Sequence, residues 1–309
     1  MTSACELARY TPGATTLLTL GVFDGVHAGH LSLIRTLQQK AVERALLPGV
    51  VTFSPHPSEV IRPGETVPLL MNVEERVQFI TDLGIPLVVP MTFTRELSSY
   101  TPERFVQLLV EHLRMVGLIL GPDFSLGRDR EGTLATLETL GTRLGFTVES
   151  VPPFTMDGVV VSSTAIRNAL AAGDVMTARR MLGRPYSLSG PITTTSRRGA
   201  SVLGVPTANL DPAPGRALPR NGVYATIARV PNGQFDSVTN IGHRPTFGHG
   251  ERVVETHILD FSGHLYGASM TIEFISRIRD EATFPDPGAL ANQIKRDVEA
   301  ARRILREHV

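Results

Sequence analysis

Short aliphatic runs alternate with amphipathic stretches through the first part of the chain. "TTLLTLGVF" reads as a strand, and "HLSLIRTLQQKAVERALL" after it sets Leu31, Ile34, Leu37 and Ala41 at helical spacing. "GVVTFS" and "PLVVPMTF" are the next strands, with the helix "VEERVQFITDLG" between them, ended by Gly84. "TPERFVQLLVEHL" opens on Thr-Pro, a good cap and first-turn pair, and leads into the strand "GLILG". "GTLATLETLGTRLG" and "FTVESV" add a helix and a strand, and "SSTAIRNALAAG" and "DVMTARRML" close the region as two short helices. Strands that are near-continuous aliphatic runs, separated by helices, predict a parallel sheet covered on both faces. Ligands of such sheets bind beyond the carboxyl ends of the strands.

After "GRPYSLSG" the texture changes. Glycine and proline punctuate short alternating runs: "NGVYATIARV", "SVTNIG", "VVETHILDF" and "ASMTIEFISRIR". In "MTIEF", Met270, Ile272 and Phe274 point one way while Thr271 and Glu273 point the other. That predicts a small antiparallel barrel or sandwich. A last helix, "PDPGALANQIKRDVEAARRIL", sets Leu290, Ile294, Val298 and Ala301 on one face. The boundary falls between residues 183 and 188, giving expected domains 1–185 and 186–309. No internal repeat or low-complexity tract is present.

Composition narrows the chemistry. The 309 residues carry 30 basic and 30 acidic side chains, and neither half is a basic module, so nucleic acid and anionic membranes are not expected partners. The single cysteine, Cys5, excludes an internal disulfide and a cysteine-built zinc site. "MTSACELARY" has no signal-peptide pattern and no run approaches a membrane span, so the expected location is cytoplasmic. The only lysines are Lys40 and Lys295, both in helical patterns, so no Gly-Lys-Ser/Thr loop exists to hold phosphate. Phosphate chemistry here must use histidine, arginine, backbone N–H groups or a metal.

His27 and His30 stand where the first strand gives way to the first helix. Their i, i+3 spacing puts both rings on one side of the helix start, where unpaired N–H groups and the dipole favour an anion. Gly21, Gly25 and Gly29 let the backbone approach a ligand. Zinc would need a third ligand, and none is nearby. Taken alone, the pair is a turn with two satisfied histidines as readily as a phosphate site.

"GVFDGVHAGH", with Phe23 and Asp24, resembles the Gly-x-Phe-Asp-x-x-His-x-Gly-His element of HxGH nucleotidyltransferases. "VVTFSPHP", with Phe53, Pro55, His56 and Pro57, resembles the bacterial FAD synthetases, as do "GPDFSLGRDREG" and "SSTAIR" further on. The likeness covers essentially the whole chain and points to the bifunctional FAD synthetase family, which joins FMN adenylylation to riboflavin phosphorylation. It implies a Rossmann-like α/β nucleotidyltransferase domain followed by a small antiparallel β-barrel with a C-terminal helix. It further implies that His27 and His30 steady the ATP triphosphate, with Gly21, Phe23, Asp24, Gly25 and Gly29 around it. Ser163, Thr164 and Arg167 would hold the β- and γ-phosphates, and Asp123 and Phe124 would join the Phe53–Pro57 segment on the flavin side.

"LGVPTANLDP" resembles the Pro-Thr-Ala-Asn motif of riboflavin kinases, which would make Thr207 and Asn209 ligands of a nucleotide-bound Mg²⁺. "NIGHRPTF", "VVETHILDF", "LYG" and "RDEATF" fit the same family, with Glu255 at the position of its catalytic glutamate and Arg279 on the flavin or terminal-helix side. Two features depart from it. Val205 stands where phenylalanine is common, and "TTTSRRGASVLG" lacks the usual His-Gly of the phosphate flap while keeping Gly199 and Gly204. The implied partners are riboflavin, FMN and ATP, with FAD as product and weak self-association left open. Two other readings are a nucleotidyltransferase with a purely structural barrel, and a non-catalytic flavin carrier.

Overall fold

A computed structural model of the chain describes residues 2–193, 208–243, 252–262, 265 and 267–307. It divides into two units, residues Met1–Ser163 and Thr164–Val309. In chain order the first holds α1 (Ser3–Leu7), β1 (Thr16–Gly21), α2 (Ala28–Glu43), β2 (Leu47–Ser54), α3 (Pro57–Ile61), α4 (Val73–Asp82), β3 (Leu87–Thr92), α5 (Arg95–Ser98), α6 (Pro102–Leu113), β4 (Met115–Leu120), α7 (Leu134–Leu144), β5 (Thr147–Ser150) and the hairpin β6 (Thr155–Met156) and β7 (Val159–Val160).

The helices start where side chains can satisfy their first N–H groups. Asn72 and Glu75 form a reciprocal capping box at α4, Thr101 caps α6 ahead of Pro102, and Thr133 caps α7. Five strands pair in parallel in the order β3-β2-β1-β4-β5. One face of the sheet, with Leu18, Leu20, Val51 and Leu118, packs on Val106, Leu109 and Leu137. The other, with Leu17, Val50 and Ile119, packs on Ile34, Leu37 and Ile80. Successive strands run outward from β1 to β3 and then restart at β4 on the other side of β1. This reversal opens a crevice at the carboxyl ends of β1 and β4.

α8 (Ser163–Ala172) opens on the last residue of the first unit and otherwise belongs to the second, with α9 (Val175–Leu182), β8 (Tyr186–Thr193), β9 (Ala208–Leu210), β10 (Gly222–Val230), β11 (Gly233–His243), β12 (Arg252–Ile258), β13 (Ser269–Arg279) and α10 (Pro287–Arg306). Antiparallel pairing in the order β10-β11-β12-β9-β8-β13 closes a barrel, so of the two architectures left open by alternation the barrel is realised. Met270, Ile272 and Phe274 are all fully buried, as their spacing predicts. Buried hydroxyls satisfy one another, Thr226 with Ser237 and Thr239 at 2.8 Å each, and Thr239 with Thr256 at 3.0 Å.

The buried line of α10 is Asp297, Ala301 and Leu305, with the latter two on Ala225 and Ile275. Leu290, Ile294 and Val298 are only partly covered. The stripe is shifted because a carboxylate sits in it: Asp297 takes Arg279 Nε at 2.9 Å and Nη2 at 2.7 Å. Phe274 packs between Tyr186 and Tyr224, with ring centroids 6.2 and 5.4 Å away. Phe274→Ala leaves a cavity there, and its expected cost is about 3–5 kcal/mol of barrel stability, measured by denaturant titration.

Candidate active sites

Beyond β1 the backbone is strained. Phe23, Gly25 and Val26 take φ of 52°, 79° and 37°, and both side-chain-bearing residues are buried. Glycine adopts this region readily, but a β-branched valine does so only when the surroundings over-determine it, at about 1–3 kcal/mol per residue. Those surroundings are visible. The Asp24 carboxylate accepts the Leu70 N–H at 2.9 Å and the Met71 N–H at 3.0 Å, and the Asp24 carbonyl accepts Ser163 Oγ–H at 2.8 Å. Asp24 thus ties residues 70–71 to the loop through its carboxylate.

The loop delivers His27 as the N-cap of α2. Its Nδ1 accepts the His30 N–H at 3.3 Å, which puts the proton on Nε2 and makes that nitrogen a donor. The His30 ring stacks on His27 at 3.6 Å and 17°, as the i, i+3 spacing predicts, and leans on Phe23 at 4.9 Å. A Cβ on Gly29 would lie 3.1 Å from the His27 ring, so the small residue permits this stack. His30 as a whole is partly exposed, but its Nδ1 is shut off from solvent and has no hydrogen-bond partner among the described residues. Burial first, then His27 and Arg76, hold the His30 imidazole well below the usual histidine range. An oriented imidazole pair at a helix N-terminus, with His30 held neutral, suits a polyphosphate without a lysine. No group of three His, Cys, Asp or Glu that could hold a metal occurs among the described residues.

Beside them a cleft of about 860 Å³ opens at the strand ends. Of the residues expected on the flavin side, Phe53, Pro57, Asp123 and Phe124 line it, together with Gly21, Phe93 and Phe105. Phe53 meets Phe93 edge-on at 5.9 Å and Phe105 at 6.4 Å, an aromatic wall suited to a planar heterocycle. Pro55, after a cis peptide bond, and His56 are not among the lining residues; His56 instead caps α3, its Nδ1 accepting the Ser58 N–H at 3.2 Å. Thr164 and Arg167 lie at the start of α8 in the second unit. Arg76 escaped the sequence reading. It is buried at 2 % exposure and donates to the Val22 and Phe53 carbonyls.

In the barrel, Glu255 on β12 stands opposite Asn209 on β9 and Asn240 on β11, and Asn209 stands opposite Thr193 on β8. Directly opposed residues share a face with Cβ atoms about 4.5–5.5 Å apart, so the four form one polar row. Asn209 is 7 % exposed, and its Oδ1 is buried without a hydrogen-bond partner among the described residues. A buried orphan oxygen beside a carboxylate fits a hard cation. Gly199, Gly204, Val205 and Thr207 lie outside the described residues. Arg279 is committed to Asp297 and, through Nη1, to the Asp280 carbonyl at 2.9 Å, which puts it on the terminal-helix side.

Comparison with known proteins adds the ancestry. A family model described as FAD synthetase matches residues 12–165, and one described as riboflavin kinase matches residues 182–305. The bifunctional riboflavin kinase/FMN adenylyltransferase of Haemophilus influenzae is 37% identical, covering 92% of this chain and 92% of its own. The proteins of the same name from Pseudomonas fluorescens and Bacillus subtilis are 38% and 35% identical, over 93% and 94% of this chain and 92% of each relative. A crystal structure from Streptococcus pneumoniae, described as a macrolide-efflux protein, matches with a TM-score of 0.88 and 27% identity over 96% of both chains. No helix among the described residues of this chain is long and apolar enough to cross a membrane. With two family models in order along it and relatives matched nearly end to end, the chain belongs to the bifunctional riboflavin kinase/FMN adenylyltransferase family.

Proposed function

We propose that this chain makes FAD from riboflavin in two ATP-dependent steps, phosphorylation in residues 186–309 and adenylylation in residues 1–185. The observation that carries the two-site reading is the polar row of the barrel: a barrel kept only as scaffold has no need of a buried Asn209 oxygen that has no partner among the described residues and stands beside the Glu255 carboxylate. In the first step Glu255 takes the proton of the ribityl 5′-hydroxyl, a neutral alcohol, as its oxygen attacks the γ-phosphorus of ATP and ADP leaves. In the second, the FMN phosphate attacks the α-phosphorus of a second ATP and pyrophosphate leaves. That nucleophile is already anionic, so the site needs positioning and charge stabilisation rather than a base.

His27 and His30 donate to the triphosphate, with Gly21, Phe23, Gly25 and Gly29 shaping the approach and Asp24 bracing the loop. Ser163, Thr164 and Arg167 hold the outer phosphates. Phe53, Pro57, Asp123 and Phe124 seat the isoalloxazine, with Pro55 and His56 shaping that segment. Asn209 and Thr207 would hold Mg²⁺ in the kinase half, which would neutralise charge on the phosphate oxygens, Gly199 and Gly204 would belong to the phosphate flap, and Arg279 braces the terminal helix. The partners are these small molecules, not nucleic acid or membrane, with weak self-association left open, and the enzyme works in the cytoplasm.

Purified chain given riboflavin, ATP and Mg²⁺ is expected to produce FMN and then FAD by chromatography, with pyrophosphate appearing alongside FAD. If riboflavin stays unchanged while supplied FMN is converted, the kinase assignment fails. Stoichiometric flavin binding without turnover would leave a carrier.

A further inference from the structure

An ionised guanidinium buried as deeply as that of Arg76 is costly unless its donors find partners. The two Nη groups of Arg76 reach two strand ends at once, the carbonyl of Val22, just beyond β1, and the carbonyl of Phe53 in β2 at 3.2 Å, while its buried Nε has no partner among the described residues. Thr52 Oγ1 donates to the same Val22 carbonyl at 2.9 Å. Val22 and Phe53 both line the aromatic cleft, and Val22 opens the strained loop that ends in His27. The negative charges facing the guanidinium are Asp24 in that loop and Glu74 on α4. The basic groups facing His30 are His27 at the helix cap and Arg76 itself.

We propose that Arg76 is a positioning residue for adenylyl transfer, its guanidinium locking the cleft wall at Phe53 to the histidine-bearing loop at Val22. The proposal rests on the assignment of adenylyl transfer to this half of the chain. Arginine suits the task because its planar fork can hold two carbonyls in fixed relative positions, whereas an ammonium is a single point donor. Its charge also helps to keep His30 neutral in the unliganded protein.

The full-length parent, Arg76→Met and Arg76→Lys are compared in two measurements: kcat/KM for FMN in FAD formation, and the His30 ring titration by NMR. In Arg76→Met the expected fall in kcat/KM is about 100-fold, the scale of a small misplacement of reacting groups. The His30 titration moves to higher pH because a repelling cation is gone. Arg76→Lys keeps the charge, so His30 titrates as in the parent, yet kcat/KM falls several-fold because one ammonium cannot span both carbonyls. Riboflavin phosphorylation stays at the parent rate in both. Parent kcat/KM in Arg76→Met, or an unmoved His30 titration in it, overturns the proposal. Should that variant not fold, Arg76→Lys decides: parent kcat/KM overturns the proposal, and a several-fold loss with His30 unmoved supports it. A parent chain that makes no FAD overturns the adenylyl-transfer assignment itself.

Discussion

Glu255→Gln stops FMN formation from riboflavin and leaves FAD formation from supplied FMN at the parent rate. The expected loss in the kinase step is about 10²–10⁴-fold, the usual contribution of a positioned base. Only this step starts from a neutral alcohol, so only this step suffers when the carboxylate becomes an amide. Glutamine keeps the length and hydrogen-bonding capacity of the side chain. Glu255 stands in a row of polar neighbours, Asn209 and Asn240, and glutamine is nearly isosteric with it, so the barrel is expected to survive the change. The two reactions are followed separately by chromatography, starting once from riboflavin and once from FMN. Equal losses in both would mean one shared site, and unimpaired FMN formation would remove Glu255 from the chemistry.

Much of this arrangement was legible because apolar spacing reports burial directly. The five parallel strands follow from aliphatic runs such as Leu17–Leu20 and Val50–Val51, and the histidine stack follows from an i, i+3 interval at a strand–helix junction. Two charged residues hid inside the same logic. Arg76 lies four residues before Ile80, and Asp297 four before Ala301 and eight before Leu305, so each occupies an inward position of its helix. A charge at such a position reads as a break in the stripe unless its partner is known, and the partners are distant in sequence: the Val22 and Phe53 carbonyls for one, Arg279 for the other. Asp24 is similar. Its motif marks it for the nucleotide, but its carboxylate is occupied by the N–H groups of Leu70 and Met71, which no local pattern shows. Periodicity reveals which side faces in; pairing across the fold decides what a buried polar group does there.

His30→Ala produces the converse of the glutamate result, a loss of FAD formation of about 10²–10³-fold with riboflavin phosphorylation intact, the scale of one lost transition-state donor. The substitution isolates the ring. The cap of α2 runs from the backbone N–H of residue 30 to His27 Nδ1, so it survives removal of the imidazole. The same variant tests the protonation state. His30 titrates well below its ordinary range in the fold because of burial, His27 and Arg76, whereas in the unfolded chain it titrates near pH 6.5. The unfolded state therefore binds more protons below that pH, and the stability His30 contributes above about pH 6.5 drains away as pH falls toward its folded value. His30→Ala removes that part of the acid sensitivity. The opening free energy of the β1 amides, taken from exchange after removal of its intrinsic base catalysis and followed above and below about pH 6.5, is expected to vary less with pH in the variant than in the parent. An unchanged slope would mean that His30 is not held neutral in the fold, and an unchanged rate of FAD formation would exclude its ring from the adenylyl-transfer site.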